Sequence, residues 1–140
     1  MQVNNETGAL LNVERFAAAV RAMAPNALIH IDGVQGYLRV PLSLKNVDMY
    51  TLSGHKLHGP KGIGALVVRK GVRLLPRQMG GGQERDLRSG TENTPGIAGL
   101  HAAIEAMQQA DLSALRQKKN ALCEAILAAV PEALRNGPSM

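Results

Sequence analysis

Thr51-Leu52-Ser53-Gly54-His55-Lys56-Leu57-His58-Gly59-Pro60-Lys61-Gly62 is the stretch around which the sequence is organised. A short apolar-leaning run, Met49-Tyr50-Thr51-Leu52, stops at small residues and presents Ser53, His55 and Lys56 before turning through Gly-Pro-Lys-Gly. An apolar run that delivers polar side chains just before a turn is the pattern of a buried strand with functional groups at its C-terminal end. The lysine is out of keeping with that place. An ammonium is strongly hydrated and is seldom put where a core strand ends unless it has a partner or a reaction to perform.

Three readings of Lys56 stay open from these residues alone. It is an exposed lysine in a polar turn, or it joins Lys61 and the glycine amides in an anion site. The third is an amine that condenses with an aldehyde such as that of pyridoxal phosphate. The order Gly-Pro-Lys-Gly does not fit the nucleotide P-loop. The third reading needs a carboxylate beside the pyridine nitrogen, so that the ring stays protonated. One is available at Asp32, where the β-branched apolar run Ala27-Leu28-Ile29-His30-Ile31-Asp32 ends in an acid. Asp32 and Lys56 then stand at the C-terminal ends of two expected strands, the edge at which open α/β sheets bind ligands. Gln35 and His55 are near them in sequence. A metal is not expected: His30, Asp32, His55 and His58 have no recognised ligand spacing.

Composition narrows the class. The chain has 140 residues, 45% of them hydrophobic, which is the size of one ordinary domain. It has no apolar run of about eighteen residues and no signal-peptide pattern, so no membrane span is expected. The single cysteine, Cys123, excludes an internal disulfide framework and suits a reducing, cytoplasmic setting. The formal charge is +5, but Phe16, Tyr37 and Tyr50 are the only aromatics. With so little to stack on bases and no repeated basic face, no nucleic-acid partner is expected.

From the N-terminus, Val3-Asn4-Asn5-Glu6-Thr7-Gly8 reads as the tail of a strand and a turn. Asn12 caps a helix over Val13–Ala24 with Phe16, Val20 and Met23 or Ala24 on its apolar face, ended by Pro25-Asn26. The strand at 27–32 follows, then Tyr50–Ser53, then Ile63–Val68, the clearest strand of the chain. Strand, helix, strand, connection and strand predict an α/β unit whose sheet is mostly parallel, with flanking helices. Gly80-Gly81-Gly82-Gln83-Glu84-Arg85-Asp86-Leu87-Arg88-Ser89-Gly90-Thr91-Glu92-Asn93 has no periodicity. It is too charged and specific for a flexible linker and reads as a binding loop. Thr94 is expected to cap a helix with Pro95 at its first position, reaching about Met107. Asp111 caps a long second helix to about Val130, with Leu112, Leu115, Leu122, Ile126 and Leu127 as its stripe. Cys123 is expected there as a small buried hydrophobe.

Taken together, four blocks resemble a known family. They are Asn4-Asn5-Glu6-Thr7-Gly8, His30-Ile31-Asp32-Gly33-Val34-Gln35, Ser53-Gly54-His55-Lys56-Leu57-His58-Gly59-Pro60-Lys61-Gly62 and the loop from Gly80 to Asn93. In order and spacing they are similar to the NifS/IscS-like cysteine desulfurases, a branch of the class V aminotransferases that use pyridoxal phosphate in the fold-type I architecture. The resemblance implies that residues 1–110 are the C-terminal part of a large cofactor-binding domain. Residues 111–140 would be a long linking helix and the beginning of a small domain.

It also implies roles. Lys56 resembles the lysine that holds the cofactor aldehyde and moves the substrate α-proton. Asp32 is like the carboxylate on the pyridinium nitrogen, Gln35 like the side chain on the phenolic oxygen, and Asn5 like one that contacts that oxygen or the substrate. Ser53 and His55 are similar to residues that grip the cofactor phosphate. Thr91 is similar to the threonine that reaches the phosphate in the partner subunit of a homodimer. The implied reaction removes sulfur from L-cysteine, giving alanine and an enzyme persulfide for iron–sulfur or thio-cofactor assembly through a sulfur-acceptor scaffold protein. Selenocysteine lyase is the nearest sister chemistry. The family's ring-stacking histidine, second phosphate-binding region, nucleophilic cysteine and carboxylate-binding arginine find no counterpart among these blocks. The expectation is therefore of a central fragment that is catalytically silent alone.

Overall fold

Strands β1 (His30–Asp32) and β2 (Met49–Ser53) run parallel, with His30, Ile31 and Asp32 opposite Met49, Tyr50 and Thr51. On β2's other side, β3 (Gly64–Val68) runs antiparallel, from Ser53 opposite Gly64 to Met49 opposite Val68. The computed structural model describes residues 1–137, and the three strands form one mixed sheet in the order β1-β2-β3. The α/β class holds, but one of the two pairings is antiparallel where a mostly parallel sheet was expected. The connection supplies the reason. Residues 54–63 are a tight turn, and a parallel return needs a crossover of about a dozen residues or more.

β1 and β2 are buried on one face, whereas β3 is exposed as far as half-buried Val68. Ile31, Tyr50 and Leu52 are almost fully enclosed, while His30 and Asp32 are exposed and Thr51 and Ser53 half-buried on the other. This period-2 alternation is what a one-sided sheet requires. Helix α1 (Val13–Met23) is capped by Asn12, whose Oδ1 accepts from the Arg15 amide at 2.9 Å. Its buried face is Val13 and Ala17 rather than the expected Phe16, Val20 and Met23; Phe16 and Met23 are exposed and Val20 is half-buried.

Strand β1 is also shorter than the expected 27–32 run. The Ile29 amide is taken by the Asp48 carboxylate at 2.7 Å, and the Ala27 carbonyl by Arg21 at 2.8 Å, so side chains stand in for a ladder there. Asp48 is fully enclosed and also meets Arg21 Nη2 at 2.7 Å and Arg69 Nη2 at 2.5 Å. This ion-paired carboxylate ties α1, the start of β2 and the residue after β3 together at the sheet edge opposite the C-terminal ends of β1 and β2.

Helix α2 (Thr94–Gln108) buries Gly96, Leu100, Ala103 and Met107. Its cap is Asn93, not Thr94: Asn93 Oδ1 accepts from the Gly96 amide at 3.0 Å, and its carbonyl accepts from Ile97 at 2.9 Å. Residues 1–108 form one unit, and a second begins at Gln109. The second unit holds α3 (Leu112–Ala129), capped as expected by Asp111, which accepts from the Ser113 amide at 2.8 Å. None of the α3 residues is buried; Leu115 and Leu122 are mostly exposed and Cys123 is half-buried rather than enclosed. Pro138, Ser139 and Met140, the end of the expected small-domain start, lie outside the described residues.

Candidate functional site

Parallel pairing of β1 and β2 brings their C-terminal ends to one edge, which is what sets Asp32 beside the lysine turn. Asp32 is the last residue of β1 and the register partner of Thr51; Ser53 is two residues further on, on the same face. Asp32 Oδ1 accepts from the Val34 amide at 3.0 Å, a side-chain turn that aims the chain out of the strand. Oδ2 has no partner among the described residues.

After Ser53 the chain tightens into a 3-10 turn, Gly54–Leu57, that carries His55 and Lys56. Gly54 is required by crowding: a Cβ there would lie 2.8 Å from Ile63 Cγ2 and 3.1 Å from the Ile63 carbonyl. Leu57 anchors the turn in the core at 1% exposure, leaving Lys56 half-buried beside it. The far side of the turn rests on α2, where a Cβ on Gly59 would lie 3.1 Å from Ala103 Cβ and one on Gly99 would lie 2.5 Å from Pro60 Cγ. The Arg39 guanidinium, from the loop after β1, donates to the Lys56 carbonyl. The turn is therefore held from three sides, while among the described residues the Lys56 ammonium has no ion pair. Ser53 Oγ and His55 Nδ1 are 2.9 Å apart, an adjacent hydroxyl and imidazole at the strand end.

The N-terminal segment reaches the same edge. The Gln2 amide donates to the Asp32 carbonyl at 2.7 Å, and buried Gln2 accepts at Oε1 from the Tyr50 hydroxyl at 2.7 Å. Burial of that phenol, with Tyr37 and Asp32 adding to it, pushes its pKa up to about 12. The turn that follows is organised by Asn4, whose Oδ1 accepts from the Glu6 and Thr7 amides at 3.0 and 2.9 Å; Asn5 is exposed beside it. Gln35 is half-buried in the turn after β1.

Asp32, Ser53, His55 and Lys56 are thus gathered at one edge, and Asn5 and Gln35 belong to the segments that flank it. Thr91 is exposed on its loop, and among the described residues no hydrogen bond joins residues 80–93 to that edge. The loop has its own order: Ser89 Oγ donates to the Met79 carbonyl at 2.9 Å, and Gln83 Oε1 accepts from the Gly90 amide at 3.1 Å. Sequence reading missed Gln2, Arg39 and Asp48. The apolar alternation into Tyr50 is a signal that could have singled out Asp48 as a charged residue in line with a buried face. Among the described residues no cluster of three potential metal ligands occurs, and no helix is long and apolar enough to cross a membrane.

The aminotransferase class-V family model matches residues 1–137. The chain belongs to that family. Among curated relatives of this class-V chain, cysteine desulfurase 2 of Trichormus variabilis is 46% identical over 142 residues, covering 98% of the chain and 35% of the relative. A solved NifS-like protein superposes with a TM-score of 0.81 at 41% identity, covering 91% of the chain and 35% of that structure. SspA, solved in complex with cysteine, is 42% identical with a TM-score of 0.68 over 74% of the chain and 30% of its own. The class-V chain thus spans about a third of the length of these relatives.

The residues at the edge fit the pyridoxal phosphate that the family uses. Among the described residues, an amine without an ion pair, a carboxylate with one free oxygen and a hydroxyl–imidazole pair lie at the C-terminal ends of β1 and β2, with Asp32 and His55 exposed and Ser53 and Lys56 half-buried. An amine, an anion and phosphate donors are the set that such a cofactor needs.

Proposed function

We propose that this chain carries the cofactor-anchoring centre of a pyridoxal-phosphate-dependent cysteine desulfurase. The observation that carries the reading is the parallel β1–β2 pair, which puts Asp32 and the Lys56 turn at one open edge. Lys56 would bind the cofactor aldehyde through Nζ and move a substrate proton at that atom. Asp32 would place a negative charge at the ring nitrogen, and Gln35 and Asn5 would bond the phenolic oxygen or the substrate. Ser53 and His55 would donate to the phosphate, with Thr91 serving the cofactor of the second subunit in a homodimer. The bound group supplies an electron-withdrawing pyridinium ring. Arg39 and α2 keep the lysine turn from moving as substrate arrives, which preserves the reacting geometry.

L-Cysteine is the proposed substrate, supported by the relatives' names and by SspA's bound cysteine. A sulfur-acceptor scaffold in iron–sulfur or thio-cofactor assembly, in the cytoplasm, completes the proposal. Within the chain, residues 1–110 are assigned to the cofactor domain and 111–140 to the linking helix and the start of a second domain. The division of the chain into two units after residue 108 supports this assignment.

The test is chemical. The full chain is incubated with pyridoxal phosphate, reduced with borohydride, digested and weighed peptide by peptide. The pyridoxyl mass is expected on Lys56. Equal labelling of Lys61, Lys70 and Lys56, or none above a free-lysine control, overturns the assignment.

A further inference from the structure

One hydrogen bond on the open face is used by none of these roles. His30 Nε2 lies 2.5 Å from Thr51 Oγ1. Thr51 is the register partner of Asp32, and His30 precedes Asp32 by two residues on β1. Strand alternation therefore puts all three side chains on one face, opposite enclosed Ile31, Tyr50 and Leu52.

A threonine hydroxyl has one hydrogen to give. When His30 Nε2 carries the imidazole proton, it donates to Thr51 Oγ1, and the hydroxyl hydrogen is left for another acceptor. The acceptor facing it, across a strand spacing of roughly 4.8 Å, is the Asp32 carboxylate. Its Oδ1 is already bonded to the Val34 amide, so Oδ2 is the oxygen left to receive it. Among the described residues, the three strands place no other titratable side chain on this face. Its other members are Met49 and Ser53 on β2 and Leu66, Val68 and Gly64 on β3, and β1's other edge is bordered by Gln2. His55 stands beyond Ser53 and is engaged with it.

We propose that His30 and Thr51 are positioning residues for Asp32: His30 Nε2–H donates to Thr51 Oγ1, and the Thr51 hydroxyl donates to Asp32 Oδ2. Together with the Val34 amide, this fixes both carboxylate oxygens, so the carboxylate meets the ring nitrogen in one orientation. The inference rests on the cofactor reading of Asp32, and it names the residues that make Asp32 a rigid rather than a rotating anion. Ser53 and Thr51 thereby acquire different tasks on the same strand face, one toward the phosphate and one toward the carboxylate.

Two measurements on the full chain test it. Nitrogen-15 NMR of cofactor-free protein, at a pH where the imidazole is neutral, is expected to show His30 as the Nε2–H tautomer, and Thr51→Val to remove that preference. Pyridoxal phosphate affinity, followed by absorbance titration, is expected to fall on the order of tenfold in His30→Ala and in Thr51→Val. His30→Gln, whose amide nitrogen can donate from a similar position, and Thr51→Ser are expected to recover it. An Nδ1–H tautomer overturns the proposal, since Thr51 would then donate to His30 and have nothing left for Asp32. Variants that bind the cofactor as tightly as wild type overturn it too. If even the wild-type chain takes no cofactor at Lys56, the cofactor reading has failed, and the tautomer alone decides the order of the hydrogen bonds.

Discussion

Replacing Asp48 with asparagine is expected to destabilise the first unit by about 3 kcal/mol, and the structure shows where that arises. The Asp48 side chain is 0% exposed, whereas those of Arg21 and Arg69 retain 23% and 55%. Arg69 is thus on the scale of a surface pair, about 1 kcal/mol or less. Arg21 and the Ile29 amide are the larger partners, each a hydrogen bond to a charged group worth roughly 1.5–3 kcal/mol. Both donate to Oδ2, whereas Arg69 faces Oδ1. Asparagine with its oxygen at the Oδ2 place keeps both bonds, but as neutral ones worth about 0.5–1.5 kcal/mol each, so roughly 1–1.5 kcal/mol is lost from each while its NH2 group is turned toward Arg69. With a urea slope of about 1–3 kcal/mol/M, the midpoint should fall by roughly 1–3 M. The pH dependence has a definite sign. The Ile29 amide first, then Arg21 and Arg69, hold the Asp48 carboxyl below its ordinary value against the opposing effect of burial. A depressed carboxyl contributes stability that is present above the unfolded pKa of about 3.9 and lost as pH falls through the folded one. The gap between wild type and Asp48→Asn should therefore begin to narrow as pH falls below about 4 and close only below the depressed folded pKa. An unchanged midpoint at pH 7, or an equal gap at pH 3 and pH 7, would refute the assignment of Asp48 as the tie of this edge.

Gly33→Ala should cost roughly 1–3 kcal/mol, because its Cβ would fall 1.8 Å from Tyr50 Cζ. A smaller side chain in Tyr50→Leu should make the double variant less than additive in urea unfolding, and strict additivity would exclude the steric account. His58 is exposed and sits at φ 65° where the 3-10 turn ends. His58→Gly should gain about 0.5–1 kcal/mol in the same assay while His58→Ala gains nothing, since glycine alone relieves a left-handed residue; equal effects of the two would remove the backbone explanation.

Where the sequence was legible, one local pattern had one physical solution. The strand ending at Ser53 and the strand ending at Asp32 could be read because an apolar run that stops at polar residues has few other meanings in an α/β chain. Asn12 and Asp111 could be placed as caps because each precedes a periodic stretch. Thr94 was misread as a cap because Asn93, beside it, has the better acceptor and reaches the Gly96 amide. The antiparallel direction of β3 went against the expected mostly parallel sheet, although the chain from Gly54 to Ile63 is too short for a crossover. The apolar face of α1 was not legible either. Phe16 outweighs Ala17 in hydrophobicity, yet Ala17 is the residue that fits flush against its neighbours at 0% exposure.

The candidate site divides along the same line. Lys56, Asp32, Ser53 and His55 announce themselves because polar groups at strand ends contradict the apolar pattern that delivers them. The residues that hold them do not, because their contacts span distances no local pattern reports. Arg39 reaches the Lys56 carbonyl 17 positions away, Gln2 reaches Tyr50 across 48, and His30 finds Thr51 across 21. Each is an ordinary polar residue until the β1–β2 register is known. That register is set from the opposite edge, where Asp48 binds the Ile29 amide one residue before β1 begins. A slip of one residue there would turn Asp32 and His30 onto the buried face and Ile31 onto the open one. The ion pair at one edge and the candidate site at the other are therefore coupled through a three-residue strand, and loss of Asp48 should loosen Asp32 before it unfolds the sheet.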